Sequence, residues 1–233
     1  MKNIYLLLLP LYQISVLQAQ VVSVSEQHLF RGGNINLVKL VAENKNYKGT
    51  PYLNDTFKKT VLVFKSNRGF EGLMRYHMGY QIFEFENKAG ERFKILPDSQ
   101  FKLVHEGTPF VRAKIVLKNH QNLDGVFQVV FEGKLYRLLH YLKKELEQPR
   151  KDAIPAPATG SSEGLLPTWV DRSFYVIVKD KEGIKIESSH KKMLKLNFFD
   201  PKIYKSFVDQ NKIKLKNKEM LIRLVEHLDQ NTP

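Results

Sequence analysis

Cysteine is absent from this sequence. That excludes disulfide staples, thiolate metal sites, a cysteine nucleophile and a lipid anchor on an N-terminal cysteine. A chain without disulfides is held by packing alone, which for an exported protein fits a bacterial envelope better than a eukaryotic secretory route. Metal-ligand spacing is missing too. His28, His77, His105, His120, His140, His190 and His227 form no His-Glu-x-x-His arrangement and no i, i+4 pair, the spacing that turns two imidazoles toward one zinc. There is no Gly-x-Ser-x-Gly elbow, and Arg31-Gly32-Gly33-Asn34 lacks the Gly-Lys-Ser/Thr ending of a phosphate loop. The expectation is no catalytic set, no metal and no cofactor.

Long apolar runs are scarce. The one that stands out is Ile4 to Leu17, preceded by Lys2, interrupted by Pro10 and followed by Gln18-Ala19-Gln20. A basic start, a short apolar stretch and a small residue at the cut are the parts of a secretory signal peptide. Cleavage is expected after Ala19, with Leu17 at the −3 position; an uncleaved N-terminal anchor is the alternative. No later segment is long enough to span a bilayer as a helix, so no transmembrane span is expected after cleavage. The expected location is the periplasm or cell envelope, or the extracellular space.

Acidic residues are outnumbered, 24 against 37 lysines and arginines, for a formal charge of +13. Behind a signal peptide the matching polyanions are lipid headgroups, lipopolysaccharide or acidic polysaccharide. The basic residues are spread out, with modest clusters at Lys143-Lys144, Lys191-Lys192 and Lys212 to Lys218. No basic stripe carries the interleaved aromatics of a single-strand binder, so nucleic acid is not an expected partner. A solvated surface is the simplest reading of these charges.

Hydrophobic residues make up 42% of the chain, enough for a real core. Residues 20–48 read as an extended lead-in. From Thr60 to Tyr141 short apolar or alternating runs predict strands at Val61–Lys65, Phe70–Tyr76, Gln81–Glu86, Arg92–Leu96, Phe101–His105, Phe110–Leu117, Val126–Phe131 and Leu135–Tyr141. Asn67-Arg68-Gly69, Met78-Gly79, Asn87 to Gly90, Pro97-Asp98-Ser99 and Asn119–Gly125 supply the reversals. Val111, Ala113, Ile115 and Leu117 oppose Arg112 and Lys114; Phe127, Val129 and Phe131 oppose Gln128; Phe83 and Phe85 oppose Glu84 and Glu86. Such period-2 alternation predicts an antiparallel sheet with one buried and one wet face.

Pro149, Pro155, Pro157, Gly160, Gly164 and Pro167 break the pattern between Gln148 and Pro167, a mobile loop or linker with a lid as the alternative. A hairpin at Ser173–Val178 and Ile184–Ile186 follows. Asp200-Pro201 reads as a helix cap with proline at the first helical position. That helix runs to Asn211, and a second from Lys218 to about Gln230 carries Met220, Leu221, Leu224, Val225 and Leu228 on one face. The predicted organisation is a signal peptide at 1–19, a lead-in and meander at 20–147, a loop at 148–167, and a hairpin with two docked helices at 168–233. The fold class is α+β and β-rich: a curved antiparallel β meander with C-terminal helices packed on it.

Two groups of residues invite a functional reading. Glu84 and Glu86 lie two apart on one strand face, roughly 7 Å between Cα atoms by strand rise, and paired carboxylates are what a glycosidase needs. Tyr47 to Phe57 is the densest unusual stretch. Thr50 precedes proline and is pushed to an extended conformation, Asn54-Asp55 favours a turn, and Tyr52, Leu53 and Phe57 can pin the loop to the sheet. It reads as a structural clasp, or alternatively as a recognition loop on a rigid scaffold.

Gly49-Thr50-Pro51-Tyr52-Leu53-Asn54 with Phe57, then Leu73-Met74-Arg75-Tyr76 leading to Phe83-Glu84-Phe85, then Phe131-Glu132-Gly133-Lys134 before Leu138-Leu139, resembles a broad family of uncharacterised exported proteins from Bacteroidota. Phe174-Tyr175 and the helices parted by Asn211-Lys212-Ile213-Lys214-Leu215 fit the same order, so the resemblance covers most of residues 47–231. The chain departs from it at Lys58-Lys59-Thr60, where a glycine is usual, and at His77, where an asparagine is usual. The resemblance implies compartment and fold but no activity.

The expected role is therefore non-enzymatic binding or scaffolding in the envelope, with Pro51, Tyr52, Asn54, Arg75 and Tyr76 as candidate binding residues. Its partner is an apolar ligand, an envelope protein or an anionic surface. Phe83, Phe85, Phe93, Phe101 and Phe127 are expected either to form a core under the helices or to line a cavity for an apolar ligand. The alternative is a hydrolase of envelope glycans or lipids using Glu84, Glu86 or His77.

Overall fold

A computed structural model of the chain describes residues 22–23, 37–40, 46–64, 68–95, 101–149 and 166–232. The expected signal peptide and most of the Pro/Gly/Ser stretch lie outside the described residues.

The protein is a β-rich α+β fold, a curved, barrel-like antiparallel sheet with C-terminal helices packed on it. Fourteen strands are described. They are β1 (Val22–Ser23), β2 (Leu37–Lys39), β3 (Lys58–Phe64), β4 (Arg68–His77), β5 (Ile82–Glu86), β6 (Arg92–Ile95), β7 (Phe101–His105), β8 (Thr108–Leu117), β9 (Asn122–Glu132), β10 (Tyr136–Tyr141), β11 (Lys144–Glu147), β12 (Thr168–Asp171), β13 (Phe174–Lys179) and β14 (Glu182–Lys185). Helices α1 (His190–Lys195), α2 (Pro201–Asn211) and α3 (Lys218–Asn231) follow. Among the described residues no helix is long and apolar enough to cross a membrane.

Each expected strand from Thr60 to Tyr141 forms, but in two runs, β3–β6 and β7–β10. β7 pairs with β3 rather than with its sequence neighbour β6. At the far side β14 pairs antiparallel with β13 and also lies parallel beside β8 through Glu182–Val116 and Gly183–Leu117. Strands β8, β9, β10, β13 and β14 thus close on themselves, which removes the sheet edge at β14.

Three apolar clusters fill this architecture. Leu62, Phe70, Met74, Tyr76, Phe83, Phe85 and Phe110 pack inside the curl of β3–β8. Ile115, Leu117, Phe127, Leu139, Val176 and Val178 fill the closed ring. The helices cover the third: Leu221, Leu224, Val225 and Leu228 of α3, with Tyr204 and Val208 of α2, bury Tyr136, Leu138, Ile177 and Ile184. The phenylalanines expected under the helices lie elsewhere. Phe83 and Phe85 sit in the first cluster and Phe127 in the second, because the sheet curls and buries both of its faces.

Local departures from the sequence expectation have identifiable causes. β9 begins at Asn122 rather than Val126, since Asn122 to Gly125 ladder against Ala113 to Val116. A bulge places Leu138 opposite Phe131 but Leu139 opposite Val129. Phe131 therefore leaves the face of Phe127 and joins the helix-covered cluster. Helix α1 was not expected. It is too short to show a period, and its signal is the cap, Ser189 accepting from the Lys192 N–H. Asp200 caps α2 as its position before proline implies, accepting from Lys202 N at 2.7 Å and Ile203 N at 3.2 Å.

Asp229 locks α3 to the sheet. Its carboxylate accepts backbone N–H bonds from Lys134 (2.9 Å), Leu135 (2.6 Å) and Tyr136 (2.7 Å) in the β9–β10 turn. Desolvation raises its pKa, but these three donors outweigh that and hold it below the usual aspartate value. The carboxylate sits so close that a Cβ added at Gly133 would lie 2.4 Å from Asp229 Cγ.

Candidate functional site

The Tyr47–Phe57 loop lies over the outer face of β4 and β5 and is sewn down at both sides. Toward β12, Lys48 N donates to Pro167 O at 2.8 Å and Trp169 N to Lys48 O at 3.1 Å. Toward β4, Met78 N donates to Pro51 O at 2.8 Å and Leu53 N to Tyr76 O at 3.0 Å. The Lys144 ammonium reaches in from β11 and donates to the carbonyls of Thr50 (2.8 Å) and Tyr52 (2.9 Å). Thr50 hydrogen-bonds Asp55 across the loop, and Asn54 accepts from the N–H and hydroxyl of Thr56. Pro51 and Tyr52 are buried by this arrangement.

Arg75 is the post on which the loop rests. Its Nε donates to Glu84 Oε2 at 2.8 Å, its Nη2 lies 2.7 Å from the same oxygen, and Nη2 also donates to the Tyr52 hydroxyl at 2.7 Å. That hydroxyl donates in turn to Glu84 Oε1 at 3.2 Å, closing a three-residue ring. The guanidinium stands 3.7 Å from the Tyr52 ring centroid and 4.5 Å from that of Phe57, and Nη1 donates to Asp55 O at 3.2 Å. A planar cation that stacks on two rings while two of its nitrogens meet one carboxylate oxygen has no lysine equivalent.

Glu84 is thus not on a wet face. It is 3% exposed, because the loop covers the side of β5 that alternation marks as solvated. Glu86 pairs separately with Arg92 at 3.0 Å, so each carboxylate of the i, i+2 pair is held by its own arginine.

Beside the ring lies an aromatic box at the β4–β5 turn. His77 is 1% exposed, stacked on Tyr80 (centroids 4.3 Å apart) and met edge-on by Tyr52 (4.9 Å) and Trp169 (6.0 Å). Tyr47 meets Trp169 edge-on at 5.9 Å. The Tyr80 N–H donates to His77 Nδ1 at 3.0 Å, which places the imidazole proton on Nε2. Burial, with a smaller contribution from the Arg75 charge, lowers the His77 pKa to about 4, so the ring is neutral near pH 7. Gly79 lets Trp169 approach: a Cβ there would lie 2.6 Å from the indole. Tyr80 itself is 60% exposed.

Of the five candidate binding residues, Pro51, Tyr52 and Arg75 meet here, together with Glu84. Asn54 is half-buried at the loop's outer bend and makes its turn with Thr56. Tyr76 points the other way: next to Arg75 on the strand, it faces the first apolar cluster, with its hydroxyl donating to Val126 O at 3.4 Å. Trp169, Tyr80 and Lys144 join the site without having been foreseen. Trp169 had one signal, being the sole tryptophan of the chain beside a Pro-rich stretch.

The arrangement can hold a flat or apolar group against Tyr80 and Trp169, while Glu84 is committed to Arg75 and Tyr52. Among the described residues no three histidines or carboxylates converge to hold a metal ion. No protein-family model, no curated protein and no solved structure matches the chain.

Proposed function

We propose that the protein is an exported, non-enzymatic binding or scaffold module of the cell envelope, and that it recognises its partner through the aromatic end of the sheet. Residues 1–19, with their basic start, apolar stretch and Ala19, support export. One observation carries the binding reading. Tyr80 presents a largely exposed ring on a rigid base of His77 and Trp169, while the neighbouring acid, Glu84, is tied into the Arg75–Tyr52 ring. A rigid aromatic on a braced turn binds with little ordering cost.

The test is a native mass spectrum of the full chain from the envelope fraction of its own host, beside its denatured mass and beside Tyr80→Ala. Extra native mass that denaturation removes and Tyr80→Ala diminishes is the expected result. A bare chain in both cases counts against binding at this site. Turnover of ester or glycoside probes that Glu84→Gln abolishes would replace the reading with a hydrolase. A denatured mass starting at Gln20 is expected, and a retained Met1 would overturn export.

A further inference from the structure

The charge of the chain is unevenly placed. Between His190 and Lys218 stand Lys191, Lys192, Lys195, Lys202, Lys205, Lys212, Lys214, Lys216 and Lys218 against Asp200 and Asp209. Nine lysines less two aspartates give +7 of the +13 formal charge in this one stretch. All nine lysines are exposed. The Asp200 carboxylate caps α2, which leaves Asp209 as the opposing charge within the stretch and Glu219 just beyond it.

The segment between α2 and α3 arranges these lysines. Ile213 and Leu215 are buried at 5% and 8% exposure in the helix-covered cluster, and the lysines at 212, 214 and 216 alternate with them. Two buried side chains fix the segment, so the alternating lysines project away from the core. Lys212 sits in the left-handed region (φ 47°) as the C-cap of α2, and Lys214 N contacts Met220 Sδ at 3.2 Å. His190 ties α1 to the same place: one ring nitrogen bonds Ile213 O at 2.8 Å and the other the Tyr204 hydroxyl at 2.7 Å. Lys191 and Lys192 therefore adjoin the row. The inner face of α3 meets β9 and β10, that of α2 packs into the same apolar cluster, and the lysines are left outside.

We infer that this lysine row and the adjoining first turn of α1 form a docking surface for an anionic phospholipid bilayer, a contact separate from the aromatic site. The large hydrophobics that stand exposed, Val38, Leu53, Leu73, Tyr80, Val104, Val116 and Leu146, all lie outside residues 187–232. The surface thus has no apolar wedge for the acyl region and no stacking platform for bases. It is electrostatic, and a plane of headgroups can meet lysines from the first turn of α1 and from the segment between α2 and α3 together, where one thin polymer chain would meet a single row.

Flotation of the full chain with vesicles tests this. The chain is expected to float with phosphatidylcholine–phosphatidylglycerol vesicles, to stay unbound with phosphatidylcholine alone, and to dissociate as salt rises. Lys212→Asn/Lys214→Gln/Lys216→Gln, with asparagine where the backbone is left-handed, is expected to lower affinity on the order of a hundredfold, about fivefold per lysine. Its thermal midpoint should match the wild type. The charge-matched control Lys59→Gln/Lys102→Gln/Lys114→Gln on the sheet should lose far less, and Tyr80→Ala nothing. Equal losses in the two triple variants would reduce the effect to net charge and overturn the proposal. Binding to dextran sulfate without binding to vesicles would overturn it in favour of an acidic polysaccharide.

Discussion

The sheet and the helical layer handle charge in opposite ways. Among the described residues the ion pairs fall between Lys39 and Glu182, on the strands and their turns: Lys39–Glu91, Lys59–Glu71, Arg75–Glu84, Arg112–Asp124 and Lys118–Glu182 are examples. Cross-strand neighbours face each other at fixed spacing, so opposite charges on adjacent strands readily meet. The helical layer docks instead through apolar stripes and the single carboxylate of Asp229. Its lysines are exposed and, among the described residues, form no ion pair. Electrostatics thus shapes the sheet from within, and on the helices it is directed outward.

The helix-to-sheet contact gives the largest expected effect. Leu224→Ala, at a fully buried position of α3, should cost about 4 kcal/mol by opening a cavity. Chemical denaturation would show this, and a loss below about 1 kcal/mol would mean the layer is only loosely attached. In the sheet, Arg75→Met should cost about 3 kcal/mol by stranding Glu84 under the loop. Adding Glu84→Leu should recover much of that loss. If the double variant is as unstable as the single, the arginine acts through its stacking on Tyr52 and Phe57 rather than through the ion pair.

The pH dependence sharpens the same contrast. The folded His77 pKa of about 4 lies below its ordinary value of 6.5. The unfolded chain therefore binds the proton more readily, and stability is lost as pH falls from 6.5 toward 4, by up to about 3 kcal/mol. His105 and His140, also lowered by burial, act in the same direction. Thermal midpoints of wild type and His77→Gln across this window should converge at low pH; parallel curves would show that His77 is not the group responsible.

Smaller still, Asp229→Asn should cost about 2 kcal/mol, since hydrogen bonds to a charged acceptor are the stronger kind. An unchanged denaturation midpoint would remove Asp229 as the lock of α3. Least of all, replacing the lysines at 212, 214 and 216 should move stability by no more than about 0.5 kcal/mol, since they join the fold through their backbone and their side chains are exposed. A larger loss would show that they support the helices.

Much of the fold was legible because strands and helices write their period into the sequence. Val111, Ala113, Ile115 and Leu117 announce a strand, and Leu221, Leu224, Val225 and Leu228 a helix face, whatever lies next to them. The site was legible in part. The loop from Tyr47 to Phe57 stood out by composition, and Tyr52 and Arg75 were singled out in it and beneath it. The role of Glu84 was hidden, because alternation marks its side of β5 as solvated and only the loop's return over that side buries it. Trp169 lies far along the chain from His77, so no local pattern could bring them together.

By itself, then, the sequence determined where the chain is extended, where it turns, where it is helical and that it must fold without covalent staples. Those are properties of neighbouring residues: backbone sterics, turn propensity and the spacing of apolar side chains. Only the tertiary structure decided that β7 joins β3, that β14 closes on β8, that a bulge sends Phe131 to the helices, and that Arg75, Glu84 and Tyr52 form one ring. Each of these depends on which distant segments share the burial of a common face. Several pairings satisfy the same local pattern, and packing the whole chain at once selects among them.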